Sequence, residues 1–217
     1  MLTFFSSMDA GIEMLIAMMA YVLVLVISLS LHEFSHAYAA YVNGDITPQK
    51  EGRLSINPFV HMDLYGAICC LFFGFGWAKP VRVNPLNYRN YKKGMIQVSL
   101  AGVAMNIFLA FIGCGIHTLM IMVPITNEIL YFIYFFSYFL FVINISLAVF
   151  NLLPIHPLDG FMFLSTILKY ENRFIQFMYR YGSFILILLV IGFDRILSML
   201  INLAMMPFAM FWNFMLR

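Results

Sequence analysis

Residues 14–31 form an unbroken apolar run that ends in His32-Glu33-Phe34-Ser35-His36. The run has the length and polarity of a transmembrane helix, so the first element of the chain is committed to a bilayer. Ionisable residues attached to such a span are costly to place, and they mark a functional site by default. Two histidines at i and i+4 share one helix face. That spacing is the zinc-binding half of the H-E-x-x-H signature, whose glutamate acts as base.

The rest of the composition agrees with a membrane setting. Hydrophobic residues make up 63% of the 217 and charged residues 10%, against roughly 45–50% and 25% in soluble domains. The expected fold class is an all-α polytopic membrane protein of about five to six transmembrane helices, with a re-entrant segment and a small membrane-associated β-sheet. A single membrane-embedded domain is expected over 1–217, with its core at 14–168 and C-terminal helices at 182–214. No appended soluble module is expected, and the first run is too long for a signal peptide. The lipid bilayer is the expected surrounding and no nucleic-acid partner is expected; the net charge of +2 says little by itself, and oligomeric state is not legible. Cys69, Cys70 and Cys114 lie in apolar stretches without a CxxC pair, so they read as small buried residues.

Further spans are expected at 94–123 and 129–153, with Asn43-Gly44 ending the first helix and a turn at 124–128. Residues 64–73 are apolar but short. A helix of ten or twelve residues covers about 15–18 Å, against a hydrocarbon core of about 30 Å. Residues 184–193 and 196–214 form either a hairpin or one kinked element. Leu54-Ser-Ile-Asn-Pro58 and Val81-Arg-Val-Asn-Pro85 both alternate and both end in Asn-Pro. Alternation predicts strands, which are expected to share one small sheet.

Catalytic zinc takes three protein ligands and keeps one open position. His32 and His36 supply two. Glu33 lies about 100° round the helix from His32, placed to take a proton rather than to ligate. Candidates for the third ligand are Glu51, His61, Asp63, His156 and Asp159. Asp159 is favoured, because Pro157-Leu158-Asp159-Gly160 breaks a long apolar helix, and broken helices at membrane depth line cavities. His156 is its rival. One shared metal requires Asp159 and the His pair at the same membrane face, which requires 64–73 to be re-entrant. Lys50, Arg53, Lys79, Arg82, Arg89, Lys92, Lys93, Lys169, Arg173 and Arg180 then share that face. A C-terminal hairpin would add Arg217 and leave Arg195 opposite. The positive-inside rule makes the shared face cytoplasmic.

These residues carry a family resemblance. The chain resembles the site-2 proteases, intramembrane zinc metalloproteases, and looks like a compact prokaryotic member. His32-Glu33-Phe34-Ser35-His36 matches the family's H-E-x-x-H. Asn151-Leu-Leu-Pro154-Ile-His156-Pro157-Leu158-Asp159-Gly160 matches its N-x-x-P-x-x-P-L-D-G, whose aspartate is the third zinc ligand. Ala101-Gly102 with Asn106 falls at its Ala-Gly-Pro helix start. Gly52-Arg-Leu-Ser-Ile-Asn-Pro58 and Gly76-Trp-Ala-Lys-Pro80 resemble one domain-poor subgroup. The chain departs at Val103, where the family has proline, and at Phe161, where it has glycine. The resemblance implies a prokaryotic cell membrane and one Zn2+ per chain, held by His32, His36 and Asp159.

The expected activity is hydrolysis of a peptide bond within, or at the edge of, a substrate's transmembrane helix, with Glu33 as base. A substrate helix must unwind before attack, and the sheet of 52–58 and 79–85 is expected to offer it an edge. Asn151 is a candidate donor to the substrate backbone or oxyanion, with a helix–helix hydrogen bond as its bland alternative; Asn106 is a second, weaker candidate. Two other classes compete: an idle relative that binds transmembrane helices, and a metal transporter. The intact Glu33 argues against the first. The long spans between Gly94 and Leu153 carry only His117 inside, which argues against the second.

Overall fold

The computed structural model describes residues 11–63, 66, 78–168, 171–192 and 194–216. Cys69, Cys70 and all but Gly66 of the expected re-entrant segment 64–73 lie outside the described residues. Among the described residues, five helices are long and apolar enough to cross a membrane. They are α1 (Ile12–Val42), α4 (Tyr91–Ile121), α5 (Glu128–Asn151), α7 (Arg173–Gly192) and α8 (Asp194–Met215). Short helices α2 (Thr47–Lys50), α3 (Pro58–His61) and α6 (Asp159–Ile167) complete the order, with a 3-10 turn at Pro85–Asn87.

Helix α1 shows how a nearly all-apolar sequence still chooses a face. Ala17, Ala20, Tyr21, Val24, Ser28, His32 and Ser35 recur at three- and four-residue steps and are buried, while Ile12, Leu15, Met18, Met19 and Leu23 remain exposed. The buried stripe holds the small and polar residues. Large aliphatic side chains face the lipid, where they cost nothing to expose, and small ones let backbones approach. The same logic seats α4 on α5, where a Cβ on Gly113 would lie 2.6 Å from the Phe141 nitrogen. Asn144 of α5 donates to Ser28 Oγ of α1 (2.8 Å), tying these helices inside the bundle.

The two Asn-Pro segments do not form a sheet. The β pairing among the described residues is one isolated antiparallel bridge, Met62 with Ala78. Asn57 and Asn84 instead cap the turns that follow them, their side chains accepting from the Phe59 and Leu86 amides (3.1 and 3.2 Å). Proline at the first helical position favours that outcome, since it needs no N–H there. The Asn-Pro signal therefore marks a helix start rather than a strand end. The bridge carries information of its own. With Lys79 N donating to His61 O (2.8 Å), it places the two flanks of residues 64–77 side by side. The chain thus returns where it left, as a re-entrant segment requires.

The C-terminal hairpin needs a second correction. Phe208 packs on Phe111, and Trp212 lies over Gly115 and donates Nε1–H to Phe111 O (3.0 Å). Residues 208 to 212 thus track 111 to 115, so α8 runs parallel to α4 and away from the site. Its start shares an apolar cavity of about 260 Å3 with Leu153, Ile185 and Leu188. Helix α7 begins already at Arg173. Its middle rests on the loop before α6, where Tyr179 packs on His156 and Phe161. Arg195 therefore belongs to the site end and not to the opposite one. Lys50, Arg53, Lys79, Arg82, Arg89, Lys92, Lys93, Arg180 and Arg195 belong to segments next to that end; Lys169 and Arg217 are outside the described residues.

This direction is testable in sealed vesicles with a membrane-impermeant maleimide, in a background lacking the native cysteines. Asn127→Cys and Met215→Cys should label from one face and Lys92→Cys from the other. Labelling of Met215→Cys together with Lys92→Cys would refute the assigned direction of α8.

Candidate metal centre

The break that brings Asp159 to the histidines is built from local sequence. Helix α5 ends at Asn151, and the chain turns through Pro154 to Pro157 and restarts as α6 with Asp159 as its first residue. A helix N-terminus favours a carboxylate there. Gly160 makes the restart possible: any Cβ would collide with the main chain of Leu152. Helix α7 braces the loop from behind, and a Cβ on Gly182 would lie 2.7 Å from His156 O.

Three ligand atoms converge at this point. His32 Nε2 and His36 Nε2 lie 3.0 Å apart, and each is 3.3 Å from Asp159 Oδ2. The opposite ring nitrogens are both engaged: His36 Nδ1–H donates to Val98 O (2.7 Å) and His32 Nδ1–H to Asn106 Oδ1 (3.0 Å). A carbonyl oxygen can only accept, so in the neutral ring the proton sits on Nδ1 and the Nε2 lone pair is left for a metal. Two such nitrogens and a carboxylate oxygen within 3.3 Å of one another are a donor set that a cation between them would satisfy. Zinc with bonds of about 2.0–2.1 Å has tetrahedral edges of about 3.3–3.4 Å, close to the observed triangle. The donors are borderline-soft imidazole plus one carboxylate, a set that suits zinc. Both Nδ1 contacts also hold the rings in orientation, as outer partners of metal-ligating histidines do.

The remaining residues form the surroundings. Glu33 Oε2 accepts from the Val81 amide (3.0 Å). A cleft of about 280 Å3 opens over the three ligands and Glu33, between Pro80, Val81 and Val83 on one side and Asn151, Pro157 and Leu158 on the other. Gly102 packs directly against the histidines: a Cβ there would lie 2.6 Å from His32 Nε2 and would clash with His36 as well. Residues 79–84 cross the mouth of the cleft as a strap, with no strand paired to them among the described residues.

The expected residues sort clearly. His32, His36, Asp159 and Glu33 meet in one cleft, and Asn106 and Asn151 lie beside them. Asn106 contacts His32 rather than the open cleft. Asn151 lines the cleft while its Nδ2 donates to Leu147 O in its own helix (3.0 Å), so the helix–helix alternative is not its role. The rival ligands fall elsewhere. His156 packs its ring on Phe161 and Tyr179. His61 Nε2–H donates to Ser55 O (2.7 Å), Asp63 accepts from the Gly66 amide (2.9 Å), and Glu51 is exposed. Two contributors had no side-chain signature: the carbonyl of Val98 and the amide of Val81.

Comparisons with known proteins point the same way. Residues 116–189 match the model of peptidase family M50, a stretch that contains Asp159 but not the histidine pair. The chain is 40% identical over 160 residues to the protein named "Putative zinc metalloprotease YwhC" of Bacillus subtilis (strain 168), covering 71% of this chain and 72% of that one. No solved structure matches the chain.

Gly102→Ala tests the geometry. The added methyl must displace one imidazole, and zinc content per chain, measured by elemental analysis, should fall well below that of the parent protein. Melting should change little in the absence of metal.

Proposed function

From the chain's membership of peptidase family M50, the site-2 protease family of zinc metalloproteases, we propose that it hydrolyses a peptide bond within or at the edge of a substrate's transmembrane helix. One observation supports this reading above others: a ligand triangle and a carboxylate base share a cleft at the end of membrane-spanning helices. His32, His36 and Asp159 would hold the Zn2+. The ion supplies Lewis acidity toward a water and a peptide carbonyl. Glu33 accepts the proton of the attacking water and returns it to the departing amine as the C–N bond breaks. Asn151, on the cleft wall, is placed to donate to the substrate backbone or to the oxygen that gains charge; Asn106 works one step back, by orienting His32.

A transmembrane substrate arrives with its peptide groups already bonded within its own helix, and it must unwind to be attacked. The strap at 79–84 borders the cleft and has no strand partner among the described residues. It can accept an unwound segment by main-chain pairing, without the two-stranded sheet first expected. The clustering of these lysines and arginines next to the site end supports a cytoplasmic active site in a prokaryotic cell membrane.

The decisive experiment compares the parent protein with Glu33→Gln and Asp159→Ala on a model transmembrane segment. Glu33→Gln should keep zinc and lose about 10²–10⁴-fold in turnover, the usual contribution of a general base. Asp159→Ala should lose zinc. Undiminished function in Glu33→Gln would favour a helix-binding protein or a transporter.

A further inference from the structure

Asp45 is wholly buried and forms no ion pair with a described lysine or arginine. Such a carboxylate needs hydrogen bonds to stay in place, and four supply them. Oδ1 accepts from Thr47 N (3.0 Å), Thr47 Oγ1 (2.6 Å) and Asn87 Nδ2 (2.8 Å). Oδ2 accepts from the main-chain amide of Asn84 (2.6 Å). Burial raises its pKa, but the bonds from Asn84, Thr47 and Asn87 outweigh burial and hold the carboxyl below its ordinary value. It is therefore charged at neutral pH.

Its position gives this anchor a purpose. Asp45 follows the turn at Asn43-Gly44 that ends α1, and its own amide donates back to Ala40 O (3.0 Å). The same turn receives the Arg89 amide on Asn43 O (2.9 Å), and Gly44, at φ 107°, leaves room for Asn87 O. Asn84 is the far end of the strap. The near end is held by the Met62–Ala78 bridge and by Lys79 N on His61 O. Between the two anchors lies Val81, whose amide holds Glu33. Pro80 and Val81 are a thin partition: they line the metal cleft on one side and, on the other, a cavity of about 350 Å3 bordered by Arg53, Lys79 and Arg82. A wall so placed depends on the anchors at its ends, together with Val83 packed on Ala40, Tyr88 and Val98.

We propose that Asp45 is a positioning residue for the base, acting through the Asn84 amide to fix the strap and thereby the Val81–Glu33 contact. The inference rests on the protease reading for its kinetic consequence. Its structural half, that Asp45 sets the mobility of residues 79–84, stands without it.

The two carboxylate oxygens allow a selective test. In Asp45→Asn the amide oxygen can keep the three donors at Oδ1, which leaves its NH2 facing the Asn84 amide, donor against donor. Asn87→Ala removes a bond at the other oxygen and leaves the strap tether intact. Val81→Pro deletes the amide at Glu33 directly, with Val81→Ala as the reference for the lost side chain. Each variant is purified in detergent with zinc, and three quantities are read: zinc per chain, kcat and KM on one transmembrane peptide, and hydrogen exchange over residues 79–84. Asp45→Asn should lower kcat about tenfold or more, the scale of a misplaced catalytic group, with KM changed less than about twofold on the same argument. Val81→Pro should lose as much relative to Val81→Ala, and Asn87→Ala should stay near the parent. Zinc should be unchanged in all, and exchange should quicken in Asp45→Asn only among the two Asp45-network variants. A parent-like kcat in Asp45→Asn or in Val81→Pro overturns the proposal. Equal losses in Asp45→Asn and Asn87→Ala, or loss of zinc in Asp45→Asn, overturn it as well, since they report a general structural role. If the parent protein cleaves nothing, the protease reading fails, and the exchange data still decide the tether.

Discussion

Everything in this structure turns on three metal-ligating atoms held together at the end of a helical bundle. Two imidazole nitrogens and one carboxylate oxygen lie at near contact distances, a grouping that a cation would stabilise. Leaving three such lone-pair donors unpaired is costly in a medium of low dielectric. The fold offsets that cost with groups from one neighbouring helix. The Val98 carbonyl and the Asn106 amide fix the protons on the far side of each ring. Gly102 removes the side chain that would otherwise fill the gap. These three belong to one helix, α4, so the element that shapes the metal site contributes none of its ligands.

The ligands come from the two helices that α4 contacts or precedes. Helix α1 carries both histidines on the same stripe as its buried alanines and serines, so packing of the bundle and aiming of the ligands are one operation. Helix α5 has to be interrupted before it can contribute. Its interruption is enforced by Pro154 and Pro157, and Gly160 lets the restarted helix press against the end of the old one. The resulting turn is then clamped by α7 at Gly182. A rigid pair of ligands on a continuous helix thus meets a third on a re-started one.

Much of this could be read from residue types alone, because the informative groups were side chains in a regular pattern. His32, Glu33 and His36 are announced by helical spacing, and Asp159 by the prolines and glycine around it. The re-entrant requirement followed from placing these two motifs at one face, and the pairing of Met62 with Ala78 agrees with it. Two readings failed for physical reasons. Alternation before Asn-Pro suggested strands, but five residues ending in a capping asparagine and a proline are equally suited to start a turn, and Asn57 and Asn84 do so. The direction of α8 was not legible either, because an apolar helix looks the same from both ends to a hydropathy argument. It is set by where Phe208 and Trp212 find partners on α4. Main-chain donors and acceptors such as Val81 N–H carry no residue signature, so the contact to Glu33 could emerge only from the fold.

The pairing of Met62 with Ala78 has one more consequence. Because the chain departs and comes back at a single point, the separation between the strap and its anchors is independent of whatever is inserted between them. Loop closure depends only weakly on the length enclosed. The contact of Met62 with Ala78 therefore fixes where the strap begins, and the reach from Lys79 to Glu33 is set by two residues adjacent in space rather than by the sequence between them.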